Sequence, residues 1–283
     1  MNYTPLLLTA IKAAIIAGQK ILEIYNTDFK VEYKADKSPL TKADQGAHNI
    51  ISDYLQVFNI PILSEEGREI PYDERKKWDL FWIVDPLDGT KEFVKRNGEF
   101  TVNIALTKGN QPIAGVIFLP VKKILYFTGP KINTWKTSDA RVISWIEKIN
   151  LEENTDALLQ QIISASVRLP VLDPKHCYTV MGSRSHATKE LNAFVDNLRQ
   201  THKNLEFISA GSSLKFCLVA EGKADIYPRL GPTMEWDTAA GQIIATNSGA
   251  RVYCHKTNLP LEYNKKNLLN PWFIVEQSNK EKL

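Results

Sequence analysis

The segment Asp85-Pro86-Leu87-Asp88-Gly89-Thr90 sets two carboxylates three residues apart, directly after the apolar run at residues 78–84. Carboxylates with that spacing at a strand exit converge on one point if the chain bends sharply. Pro86 restricts the backbone ahead of such a bend and Gly89 permits it. Oxygen-only donors suit hard cations such as magnesium, which keep waters and bind phosphates beside carboxylates. A helix starting at Gly89-Thr90 would add backbone N–H groups for a phosphate oxygen. The plainer alternative is an ordinary turn and helix cap. Two further acidic sites favour chemistry: Glu65-Glu66 also ends an apolar run, and Asp237 opens the small-residue stretch Asp237-Thr238-Ala239-Ala240-Gly241 after Trp236. Asp237 also has the position of a helix N-cap, and the two roles are compatible.

Positioning these groups falls to alternating helices and strands. Leu7, Ala10, Ile11, Ala14, Ile15, Gly18, Ile21 and Leu22 recur at helical spacing, which predicts an amphipathic first helix reaching about Tyr25. A second helix begins near Thr41 or Asp44 and carries Ile50, Ile51, Tyr54, Leu55 and Phe58 on one face. Strands at 61–63 and 78–84 deliver the chain to Glu65 and Asp85. Residues 101–106 and 113–119 pair through the turn Lys108-Gly109-Asn110, and 124–128 continue that sheet. Residues 130–160 are more polar and mark the expected junction between an α+β domain at 1–130, with most of the acidic cluster, and an α/β domain at 131–283 with Asp237. In the second half, strands at 178–181, 205–209, 224–227, 251–254 and 273–275 alternate with helices at 185–198, capped by Ser185, at 212–221 and at 238–248, an α/β layering.

Hydrophobic residues make up 43% of the 283 and charged residues 24%, an ordinary globular balance. With 35 basic and 32 acidic side chains the net charge is +3, so charge alone implies no surface for a nucleic acid polymer. Cys177, Cys217 and Cys254 are widely separated and odd in number, which argues against a disulfide framework or a zinc knuckle and for buried free thiols in a reducing cytosol. Lys12, Gln19 and Lys20 interrupt the apolar run at 6–22, so the first helix is expected to pack in the core rather than act as a signal peptide or membrane span.

Longer motifs carry a resemblance. Glu65-Glu66, the segment from Asp85 to Thr90, and Trp236-Asp237-Thr238-Ala239-Ala240-Gly241 resemble the marks of the inositol monophosphatase superfamily of lithium-sensitive, magnesium-dependent phosphatases. Asp36-Lys37-Ser38-Pro39-Leu40-Thr41-Lys42-Ala43-Asp44, the run from Lys91-Glu92-Phe93 to Asn103, Gly211-Ser212-Ser213-Leu214-Lys215-Phe216-Cys217 and Tyr227-Pro228-Arg229 are similar to its CysQ-type 3'(2'),5'-bisphosphate nucleotidases. Leu40 stands where such motifs often carry valine, and the stretch near 130–160 is longer than expected.

The resemblance implies a layered αβαβα sandwich of the sugar-phosphatase type. It also implies two, and with a weaker site three, Mg2+ ions. Glu65, Asp85 and the carbonyl of Leu87 would hold one, and Asp85, Asp88 and Asp237 a second. Asp44 would accept from the Thr90 hydroxyl, which helps orient and deprotonate an attacking water, so Asp44 and Thr90 are the implied catalytic pair and no covalent intermediate is expected. Glu65, Leu87, Asp88, Gly89, Thr90 and Asp237 would touch the substrate at the metals. Lys215, Arg229 and Ser212 would meet the second phosphate of adenosine 3',5'-bisphosphate, with His186 near the base or ribose. An inositol or fructose phosphatase using the same metals, and a non-catalytic nucleotide sensor, are the rivals. The implied setting is the cytoplasm and sulfur metabolism, with peripheral contact at the cytoplasmic membrane face left open and the oligomeric state unread.

Overall fold

The computed structural model describes residues 2–28, 32–33, 39–40, 42–151, 154–171, 177–183 and 188–278. Helix α1 (Thr4–Tyr25) carries Pro5 in its first turn, where a missing N–H costs nothing, and buries Leu8, Ile11, Ile15 and Ile21 completely. The short strands β1 (Glu32–Tyr33) and β2 (Pro39–Leu40) pair antiparallel ahead of α2 (Lys42–Leu55). The main sheet takes β3 (Ile62–Ser64), β4 (Leu80–Asp88), β5 (Thr101–Lys108), β6 (Gln111–Leu119), β7 (Ile124–Thr128), β8 (Trp135–Thr137) and β9 (Val167–Arg168) side by side in chain order. The first pair is parallel and the rest are antiparallel. Helices α3 (Tyr72–Arg75) and α4 (Thr90–Val94) flank β4, and α5 (Ala140–Lys148) and α6 (Thr155–Ser164) lie between β8 and β9. The sheet thus draws on both sides of the expected division at residue 131.

A second sheet holds β10 (Tyr178–Ser183), β11 (Leu205–Ala210), β12 (Ile226–Arg229), β13 (Ala250–Cys254) and β14 (Phe273–Gln277) in the order β11-β10-β12-β14-β13. Its helices are α7 (Lys189–Thr201), α8 (Leu214–Ala220) and α9 (Ala239–Asn247). Strand β4 shows how the layers form. Trp82 and Val84 face the core built with α1 and α2, while Phe81 and Ile83 face the core shared with Phe216, Ala240 and Phe273. Alternate side chains point to opposite faces, so a strand covered on both sides reads as one unbroken apolar run. Helix α7 packs Leu191 and Val195 on the outer face of the second sheet. The order is helices, seven strands, α8 and α9, five strands, α7: the expected αβαβα sandwich.

The stretch read as a polar junction holds β8, α5 and α6, and further details differ from the sequence reading. Helix α7 begins at Lys189, with the Thr188 side chain accepting from Leu191 N at 3.1 Å. The expected cap Ser185 lies outside the described residues. Cys217 and Cys254 are buried, but Cys177 is exposed. By length and composition α1 is long and apolar enough to cross a membrane, although its apolar residues form the core described above.

The middle layer sits tightly on the main sheet where β6 has Gly115. A Cβ there would stand 2.9 Å from Ala240 O and 2.5 Å from Ile243 Cγ2, both on α9. Gly115→Ala is expected to lower stability by roughly 1–3 kcal/mol through overpacking. Urea unfolding checks this, and an unchanged midpoint would show that α9 shifts freely.

Candidate active site

Strand β4 pairs Asp85 with Asn103 and Asp88 with Thr101, so three steps on β4 match two on β5. In a regular strand residues three apart face opposite ways; the additional residue of a bulge brings both aspartates to one side. The sequence reading ended the strand at Asp85 with a bend, whereas here pairing resumes at Asp88. Leu87 N donates to Asp85 Oδ1 at 3.1 Å within the bulge. Gly89 then takes φ +92°, a left-handed conformation that leads into α4. Glu65 follows β3, its N–H donating to Val84 O beside Asp85.

Asp237 arrives from the other half of the chain. Its neighbour Glu235 is fully buried and accepts from Asn264 N at 2.6 Å, Lys265 N at 3.0 Å and Lys265 Nζ at 2.6 Å. Asn270 Nδ2 donates to Met234 O at 2.7 Å and to Thr238 Oγ1 at 3.0 Å. The segment 234–238 is therefore held from both sides. The Asp237 carboxylate accepts from Met234 N at 2.8 Å, and the N-cap position of α9 is Thr238, so Asp237 does not cap the helix as its position in the sequence allowed. Asp85, Asp88 and Asp237 each offer a carboxylate oxygen within 4.8 Å of the others.

Those charges are confined. Burial raises the Asp85 carboxyl well above the ordinary range, and Glu65, Asp88 and Asp237 push it further. Burial also raises Asp88, against hydrogen bonds from Ser213 and the Lys215 charge. Asp237 is pushed up to about 8 by burial and then by Asp88. Oxygen donors that repel one another in a desolvated site fit a hard divalent cation, whose charge cancels the repulsion.

Glu65, Asp88, Gly89, Thr90, Ser212, Lys215, Arg229 and Asp237 line one cleft of about 260 Å³. Asp85 and Leu87 are buried, and Asp85 meets the cleft through its closeness to Asp88 and Asp237. Thr90 Oγ1 donates to Asp44 Oδ1 at 3.2 Å, with Leu87 O at 3.4 Å, and Asp44 is buried in the first turn of α2. Lys215 is buried and donates to its own loop, to Ala210 O at 3.2 Å and Ser212 O at 2.5 Å. Burial lowers its ammonium to about 8, against the Asp88 charge. Arg229 Nη2 donates to Pro232 O at 2.7 Å, while its buried Nε has no hydrogen-bond partner among the described residues. His186 lies outside the described residues. The sequence reading gave no role to Ser213, Asn103, Glu92 or Glu99. Ser213 was visible inside the motif at 211–217, but its neighbour Ser212 took the assignment.

A carboxyl raised on folding favours the folded state below its unfolded value and loses that contribution as pH rises through the folded value. For Asp237 the window runs from 3.8 to about 8. In a chelator the protein is expected to melt at a lower temperature at pH 8 than at pH 6. Asp237→Asn should flatten this slope, and a divalent cation should remove it. Calorimetry across that range checks the sign; a melting temperature that rises with pH in wild type but not in the variant would contradict it.

The chain matches the inositol monophosphatase family over residues 2–283. It is 42% identical over 264 residues to the 3'(2'),5'-bisphosphate nucleotidase CysQ of Escherichia coli K12, spanning 92% of this chain and 94% of that protein. The CysQ of Haemophilus influenzae is 31% identical over 264 residues, 92% of this chain and 88% of that one. Among solved structures, CysQ from Bacteroides thetaiotaomicron superposes with a TM-score of 0.87 at 50% identity and covers 98% of each chain. The suhB protein of Bartonella henselae, at 22% identity and a TM-score of 0.69 over 95% of this chain and 92% of that one, shares the fold. With a two-sided sheet, a bulged acidic strand and a match along nearly its whole length, this chain belongs to the inositol monophosphatase family.

Proposed function

We propose that this chain is a magnesium-dependent phosphomonoesterase that converts adenosine 3',5'-bisphosphate to AMP and phosphate, in sulfur metabolism. The observation that carries the reading is the convergence of Asp85, Asp88 and Asp237 in a cleft that also holds Lys215 and Arg229. Carboxylates alone indicate a cation; carboxylates facing fixed cations across a small cleft suit a substrate with two phosphates. The nucleotidase names of its relatives favour a nucleotide over a sugar phosphate.

Glu65, Asp85 and the Leu87 carbonyl would hold one Mg2+ and Asp85, Asp88 and Asp237 another, with a third near Glu65 in the same reading. When bound, such ions lower the pKa of water and stabilise charge on the phosphoryl oxygens and the leaving alkoxide. The chain's own contribution is orientation and proton handling. Because Thr90 Oγ1 donates its proton to Asp44 Oδ1, its lone pairs can accept a hydrogen bond from the attacking water. Asp44 can then take a proton through Thr90 Oγ1 as the water attacks in line, and no protein nucleophile is needed. On the far side Arg229, Lys215 and Ser212 line the cleft and would meet the second phosphate, with His186 assigned to the base or ribose. A cytoplasmic setting fits three cysteines that form no disulfide.

A substrate panel with magnesium titration and phosphate readout tests this. Hydrolysis of adenosine 3',5'-bisphosphate should exceed that of inositol monophosphate by a wide margin in kcat/KM; comparable values would make the chain a general sugar phosphatase, and no release from either would make it a sensor. Millimolar lithium should inhibit.

Thr90→Ala and Asp44→Asn should each lower kcat by about 100- to 10,000-fold, the range of lost general-base assistance, with little change in KM. Steady-state kinetics distinguishes this from a binding defect, in which KM would rise at constant kcat.

A further inference from the structure

Asp88 is gripped from the opposite half of the molecule. Ser213 N and Ser213 Oγ both donate to its Oδ2 at 2.6 Å, and Asn103 Nδ2 adds a longer contact at 3.4 Å. Thr101, fully buried and paired with Asp88 across the sheet, lies 3.0 Å from Ser213 Oγ. With the serine proton on Asp88, the threonine proton points to the serine. Three donors fill the acceptor capacity of Oδ2, which leaves Oδ1 as the oxygen free for a cation.

The loop that carries Ser213 is built to hold it there. Ser212 has φ +46°, an unfavourable conformation for a residue with a side chain, and it directs the next N–H at Asp88. Gly211 N donates to Glu99 Oε2 at 2.9 Å, and a Cβ on Gly211 would fall 2.6 Å from Glu92 Cγ and 2.8 Å from Glu99 O. Lys215 Nζ ties Ala210 O to Ser212 O from behind. These contacts hold the loop in the conformation that Ser212 strains.

We infer that Ser213 is a positioning residue: its hydroxyl, oriented by Thr101, fixes which oxygen of Asp88 faces the cation, and so joins the metal wall of the cleft to the phosphate wall. The inference rests on the divalent-cation reading above. Partners that orient a metal ligand typically change affinity by about 10- to 100-fold when removed. Ser213→Ala keeps the backbone donor and loses the hydroxyl.

The test is calorimetric titration of the purified full chain with Mg2+, alongside the Mg2+ dependence of phosphate release. Ser213→Ala should bind Mg2+ about tenfold more weakly, with kcat largely recovered at saturating Mg2+, and Ser213→Thr should restore the affinity. A purely structural role would lower the melting temperature and leave the Mg2+ affinity alone. An unchanged affinity in Ser213→Ala, whatever its melting temperature, overturns the inference. If that variant does not fold, Thr101→Val is read instead: a loss in the same direction supports the inference and no change overturns it. Wild type that binds no Mg2+, tested beside Asp88→Asn, overturns both this inference and the metal reading; wild-type binding that Asp88→Asn abolishes and Ser213→Ala leaves intact overturns this one alone.

Discussion

Three carboxylates that repel one another are held within 4.8 Å, and much of the architecture follows from having to keep them there. Left to itself, a chain separates such groups or protonates them, as the raised carboxyls of Asp85, Asp88 and Asp237 record. Packing elsewhere must supply what the site takes away. The seven-stranded sheet, apolar on both faces, provides that support, and the bulge in β4 adapts it to chemistry at this edge of the cleft.

The remaining supports act on backbone rather than on charge. Glu235 and Asn270 fix the segment before α9, Arg75 donates to Asn264 Oδ1 and Lys265 O, and the loop at 210–213 closes from the other side. Each tie joins residues distant in sequence, so the site is assembled only when both sheets are in place. The two halves meet in carboxylates and their donors, and this gives the interface a polar centre inside an apolar surround.

Much of this was legible because it is local. Pro86 and Gly89 punctuate the acidic segment, and alternation and helical spacing gave most of the longer strands and helices, while α5, α6, β8 and β9 went unassigned in a stretch read as a polar junction. What escaped is non-local or depends on one torsion. The bulge is a matter of register against β5, which nothing between residues 85 and 88 reveals. Finding Ser213 beside Asp88 required knowing that Ser212 adopts a left-handed conformation. The cap of α7 is Thr188, a residue type as suited to that place as many others nearby, and only the fold singles it out. Asp237 looked like a cap for the same reason, yet its carboxylate turns back to Met234 N.

The tight seat of α9 on Gly115 has a consequence for the acidic cluster. Asp237 rides just ahead of α9 while Asp85 and Asp88 ride on β4, so the seating of the middle layer on the main sheet bears on the gap between these carboxylates. A glycine on β6 therefore works as a calliper: by letting α9 settle close, it sets how near Asp237 comes to the aspartates of β4.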